Sequence, residues 1–352
     1  MGWVIGAVGT LAVAALVAVV SSEATDGWRK LKARFSGRGE PSAREGDPLP
    51  AGAAHFVNRV EEQAVAAAAL LSPASPAGAP APGAPTRGPS APVPVLAVSA
   101  LSGMGKTAFE AHFARANKAR FDGSPLYVDF GALPGGSQSA RLSAAVGEAL
   151  RQLDVGPGHL PDSLAGLTTL YRQKSERRRL LVVLDEVTEA AQVRALLPSH
   201  PGSAVLAAGP SRIGELTLDG AQLMALEPLA AEHGLQLLTH LAGDGGRIGD
   251  EPEAAGRLVE YCAGMPVALG IVGARLAMEP RLTLRALVAE LSDEERRLEG
   301  LSIPGEELGV SAVIEMAYGK LPADVARLYG RLGLLPWARF DDDVAAAVGD
   351  LR

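Results

Sequence analysis

The chain has 352 residues, enough for two or three modules of about 100–200 residues each. With 47% hydrophobic and 21% charged residues it is not disordered over its length, and with Gly 41 and Pro 25 it is neither collagen-like nor a low-complexity repeat. A formal charge of −7 gives no global attraction to DNA or RNA, so no direct nucleic-acid binding is expected, and the single Cys262 excludes an intramolecular disulfide or a cysteine zinc site.

From Trp3 to Val20 the sequence WVIGAVGTLAVAALVAVV carries no charge. As a helix of roughly 27 Å it would just cross a hydrocarbon core. It reads as one transmembrane helix (1–21). The competing reading is a secretory signal peptide, but no positive charge precedes the run and no clear small-x-small cleavage site follows it. Arg29, Lys30, Lys32, Arg34 and Arg38 lie after it, in a basic juxtamembrane segment (22–48), which places the remainder of the chain in the cytoplasm by the positive-inside rule. A cell-membrane, single-pass location is therefore expected.

A lead-in helix is expected within 49–71, where His55 to Leu71 reads HFVNRVEEQAVAAAALL behind a short extended stretch. The Pro/Ala-rich segment 72–94 has no side chains able to form a core and reads as a linker. From Val95 apolar strands alternate with helical patterns: VLAVSA, a helix from Lys106, PLYVDF, helices near Ser143–Leu153 and Ser163–Gln173, RLLVVLDEV, a helix at Thr188–Leu197, and SAVLAA. That order predicts an α/β fold with a parallel sheet covered by helices on both faces over 95–226. Helical segments Ala230–Leu241, Pro252–Cys262, Val267–Met278 and Leu284–Leu291 then predict a helical lid subdomain over 227–300. A further helical stretch runs from Ser311 through Leu335, within 301–352.

The chemistry concentrates at VLAVSALSGMGKTAF, Val95 to Phe109, where a strand runs into a small-residue loop and then a helix. This is the context of a Walker A phosphate loop. Backbone N–H groups of Ser102, Gly103, Met104, Gly105, Thr107 and Ala108 would cradle phosphate oxygens, Lys106 would reach the terminal phosphates, and the Thr107 hydroxyl would ligate Mg²⁺. One departure is visible: the pattern asks for Gly at position 100 and finds Ala100, which is tolerable if that residue keeps φ below zero. Val182-Val183-Leu184-Asp185-Glu186 reads as Walker B, with Asp185 holding Mg²⁺ through its water shell and Glu186 orienting the attacking water.

Together, HFVNR, the Walker A loop, LYVDF, LLVVLDEV, SAVLAA and Ala263–Leu269 (AGMPVAL) resemble the NB-ARC type of STAND ATPases, signalling P-loop NTPases that include apoptosome ATPases, plant resistance proteins and bacterial regulators. The resemblance covers about residues 49–335. It implies ATP/ADP and Mg as cofactors, Val57 and Arg59 beside the adenine, Gly264-Met265-Pro266 as the family's G-L-P motif with Pro266 against adenine or ribose, and the start of a winged-helix subdomain over 301–352. It also implies a nucleotide switch that forms a homo-oligomer with ATP and acts on an unknown signalling protein; the spanning run makes that switch membrane-anchored, and a departure at the sensor position makes it slow to hydrolyse. The alternatives are a non-hydrolysing nucleotide-stapled scaffold or a transcription-regulatory NB-ARC protein. Where the family carries T-S-R, whose Arg senses the terminal phosphate, this sequence has Ala208, Gly209 and Pro210, with Arg212 two residues on.

Overall fold

A computed structural model describes residues 48–50, 56–57, 59–71, 93–243, 245–293, 297–302, 309–319, 321, 323–335 and 342–349. The expected spanning helix, the basic cluster behind it and nearly all of the Pro/Ala linker lie outside the described residues. Among the described residues no helix is long and apolar enough to cross a membrane.

Helix α1 (Val60–Leu71) buries Ala66 and Leu70 and packs against strands β1 (Val95–Ser99) and β4 (Ala204–Gly209). With β2 (Leu126–Asp129), β3 (Leu181–Asp185) and β5 (Gln222–Ala225) these form one five-stranded sheet in the order β2-β3-β4-β1-β5, every pair parallel. The central strands are continuous apolar runs because both of their faces are covered. Alternation divides them between two cores. Leu96, Val98, Leu181, Val183 and Leu206 face α2 (Lys106–Asn117), whereas Val182, Leu184, Val205 and Ala207 face α3 (Gln138–Gln152), α4 (Leu164–Ser175) and α5 (Ala190–Ala195).

The sequence reading placed four of the five strands. β5 was missed because it follows the four-residue helix α6 (Glu215–Leu218) as an edge strand with Gln222 exposed, so its four residues lack the apolar run that marks the others. Helix α3 starts five residues before the expected Ser143, at Gln138, because Ser137 caps it by accepting from Ala140 N at 3.3 Å.

After β5 the chain is helical: α7 (Ala231–Ala242), α8 (Gly245–Asp250), α9 (Pro252–Tyr261), α10 (Pro266–Met278), α11 (Leu284–Ser292) and α12 (Arg297–Gly300). Pro252 and Pro266 open their helices, where a missing N–H costs nothing. These helices do not close a core of their own. Leu237, Leu258, Leu269 and Leu287 belong to the same continuous cluster as Leu96, Phe109 and Leu206 of the sheet and α2. The last expected helical stretch is two helices, α13 (Val310–Gly319) and α14 (Ala323–Leu332), with Pro322 in the sequence between them, and α15 (Asp342–Gly349) follows.

Candidate functional site

β1 ends at Ser99 in register with Gly209 of β4, and the chain then turns through a loop whose Gly103 (φ 85°) and Gly105 (φ 87°) are left-handed. Glycine takes that conformation without the Cβ penalty, and it lets successive N–H groups converge in a concave nest. Ala100 is not among the residues with positive φ, so its replacing glycine carries no backbone penalty; its N–H donates to Gly209 O at 3.2 Å. Lys106 opens α2 and is 6% exposed, its Nζ folded back to Ala100 O at 3.0 Å and Leu101 O at 3.4 Å. The ammonium thus sits in the mouth of the loop, bonded to carbonyls of the same segment that a phosphate would meet.

Facing the loop is the end of β3. Asp185 is fully buried, and its Oδ2 accepts from the Thr107 hydroxyl at 2.6 Å. Its Oδ1 accepts from Glu186 N at 2.8 Å, a bond tied to the left-handed backbone of Glu186 (φ 56°), an unusual conformation for a residue with a side chain. Tyr127, which no motif singled out, donates its hydroxyl to the same Asp185 Oδ2 at 3.2 Å. Burial, with the charges of Asp185, Asp129 and Glu110 added, pushes the Tyr127 phenol well above its ordinary range, so it stays protonated. Its signal in the sequence was its place on the strand beside Walker B: Asp129 pairs with Asp185 in the β2/β3 register, and two residues earlier Tyr127 shares that face.

The helices after β5 reach this loop directly. Val267 N, in the first turn of α10, donates to Gly103 O at 3.2 Å. Gly264 (φ 65°) makes the junction: its carbonyl accepts from Leu229 N at 2.9 Å, and a Cβ there would lie 2.3 Å from Leu229 O. Gly264 and Met265 therefore set Pro266, half-buried at the first position of α10, next to the residue that touches the loop.

From the other side comes the lead-in segment. Val57 is half-buried against the core. Arg59 is 5% exposed with a left-handed backbone (φ 74°), and its guanidinium donates to Glu227 O at 2.7 Å, Glu62 Oε1 at 2.7 Å and Met104 O at 3.3 Å. The Arg59 side chain therefore joins the loop to the connection between sheet and helices. Thr107 and Asp185 are thus joined directly, while Lys106, Gly103 and Arg59 each bond at or to the loop 100–105.

Within Ala208-Gly209-Pro210, the glycine at the Ser position of T-S-R has a steric basis. A Cβ on Gly209 would lie 2.0 Å from Val187 O, so in this backbone no side chain fits there. Arg212 is exposed and lines a small cleft with Ala97, Val187, Ala207 and Leu216, residues of which Ala97, Ala207 and Leu216 face the core opposite α2.

No protein-family model matches the chain. Over 257 residues it is 37% identical to the regulatory protein AfsR of Streptomyces griseus, and over 267 residues 39% identical to the regulatory protein AfsR of Streptomyces coelicolor. These alignments cover 73% and 75% of this chain but 26% of each relative, so the chain spans about a quarter of the length of the curated relatives it matches. Over most of its own length, then, the chain is similar to one part of larger bacterial regulatory proteins.

Proposed function

We propose that this chain is the nucleotide-binding switch of a bacterial regulatory protein of the NB-ARC, STAND type, taking ATP or ADP with magnesium. The observation that carries the reading is the strand-loop-helix at 95–117 with two left-handed glycines, a buried lysine folded over the loop and a threonine hydroxyl bonded to the acid that ends β3. That donor set fits the group: an N–H nest and an ammonium for phosphate oxygens, a hydroxyl and a carboxylate for a hard divalent cation. When bound, magnesium would neutralise charge on the terminal phosphates. Lys106 would leave its carbonyls for phosphate, Thr107 would offer a lone pair to the cation, Asp185 would orient it, and Glu186 would position water. Val57, Arg59 and Pro266 enclose the nucleoside end. Regulation, rather than metabolic turnover, is supported by the regulatory relatives, and the bond from Val267 N to Gly103 O supplies a physical link from phosphate loop to lid.

Hydrolysis is slow in this reading, because Pro210 stands where the family carries the sensor Arg and supplies no cation there. An arginine supplied to the developing phosphate charge accelerates related NTPases by about 10³–10⁵. The deciding experiment is identification of the nucleotide that copurifies with the full chain, followed by calorimetry with ATP and ADP. A folded protein that takes up neither would end this reading. The uncharged run Trp3–Val20 further supports tethering at the cytoplasmic face of a membrane. Release of an N-terminally trimmed, soluble protein from cells would instead identify that run as a cleaved signal.

A further inference from the structure

Tyr127 lies on β2, the edge strand beside β3, and both sides of its position are fixed. Gln152, the last residue of α3, closes the outer edge of the strand at this one residue. Tyr127 N donates to Gln152 Oε1 at 2.9 Å, and Gln152 Nε2 donates to Tyr127 O at 2.7 Å. A side-chain amide thus replaces the missing neighbour strand and holds the backbone in place. The ring packs against the core that contains Phe109 and Val183, and the hydroxyl reaches Asp185 Oδ2 at 3.2 Å.

We infer that Tyr127 is a positioning residue for magnesium: its hydroxyl holds the Asp185 carboxylate in the orientation that Thr107 needs in order to donate to it while offering a lone pair to the cation. The inference rests on the nucleotide-binding reading above. Two donors on one carboxylate oxygen remove the rotational freedom that a terminal carboxylate otherwise has. With Tyr127 gone, Asp185 keeps its charge and its bonds from Thr107 and from Glu186 N but loses the second donor on Oδ2, the one that comes from the neighbouring strand. Nucleotide contacts made by the loop and by Lys106 do not pass through this hydroxyl. The consequence is a separation of effects: the contribution of magnesium to binding falls, and the metal-free affinity does not.

The test is calorimetry of ADP binding to the full chain, in magnesium chloride and in EDTA, for the native protein and Tyr127→Phe. That substitution removes one oxygen and keeps the ring that packs in the core. The expected result is that magnesium tightens ADP binding in the native protein, and that Tyr127→Phe loses about three- to tenfold of that gain, the size of a typical net hydrogen bond acting through a second residue. Affinity in EDTA should stay within about twofold, since no direct phosphate contact is lost. Equal weakening in both buffers would make Tyr127 a structural residue only, and no change in either would remove its role; both outcomes overturn the inference while leaving the nucleotide site standing. Failure of the native protein to bind ADP at all would instead overturn the reading on which the inference rests.

Discussion

Lys106 is the residue at which the proposed chemistry is most directly exposed to test. Its ammonium already bonds to two carbonyls of the loop, so an alanine removes the loop's own side-chain cation along with the phosphate contact. Lys106→Ala should weaken ATP and ADP by about a hundredfold, the upper range for a hydrogen bond to a charged group, with an unchanged circular dichroism spectrum. Unchanged affinity by calorimetry would remove the site assignment. Gly209, one residue before the position of the missing sensor arginine, tests how tightly the end of β4 is held. With its prospective Cβ 2.0 Å from Val187 O, Gly209→Ala should cost about 1–3 kcal/mol in urea unfolding, because a central strand has little room to shift. A neutral result would show that β4 or the Val187 carbonyl can move to admit a side chain.

At the scale of elements, Arg59 decides how the lead-in helix is joined to the rest. A left-handed non-glycine backbone costs about 1 kcal/mol, and here it is offset by three bonds, one to Glu62 within α1 and two that tie α1 to the loop after β1 and to the connection after β5. Arg59→Ala keeps the strained backbone and loses the bonds, whereas Arg59→Gly loses the bonds and relieves the strain. Arg59→Ala should therefore be the less stable of the two by about 1 kcal/mol in thermal or urea unfolding. Equal stability would mean that this backbone conformation is not held in the folded state. The same scale shows what patterning could and could not reveal. The strands with continuous buried apolar runs were legible at β1, β3 and β4, as was β2. β5 and α8 were not, because four and six residues at an edge or between longer helices carry too little periodicity.

For the molecule as a whole, the shared core is the controlling feature. The sequence reading drew a boundary between 226 and 227, yet Leu226, Leu229 and Leu237 belong to one apolar cluster with Leu96 and Phe113. The sheet and the helices after it should consequently unfold in a single transition when followed by both near-ultraviolet and far-ultraviolet circular dichroism. Two resolved transitions would show instead that the helical part is an independent unit. Cys262 provides a probe of the same event: it is fully buried within that cluster, and burial pushes its thiol well above the ordinary range. It should be inert to thiol reagents in the native protein and react at the rate of unfolding in urea. Fast labelling of the folded chain would show that the helices part from the sheet without global unfolding.

What the sequence by itself determined was the local chemistry: the order of strands and helices, the phosphate-loop pattern at 100–107 and the acid pair at 185–186. These are legible because each depends on spacing along a continuous segment. Long-range placement belonged to the tertiary structure. Only the parallel register brings Tyr127 beside Asp185 from 58 residues away, and only the return of α10 puts Val267 on Gly103. The conversion of Arg59 from a residue on a lead-in segment into a three-way tie likewise required the chain to close on itself, with Glu227 O arriving from 168 residues downstream. Gly209 is a further case: a glycine where the family carries Ser became explicable once Val187 O was seen in the space a side chain would need. Local backbone preference and hydrophobic period are written residue by residue, whereas the partners of a buried polar group are fixed by packing, which no single segment contains.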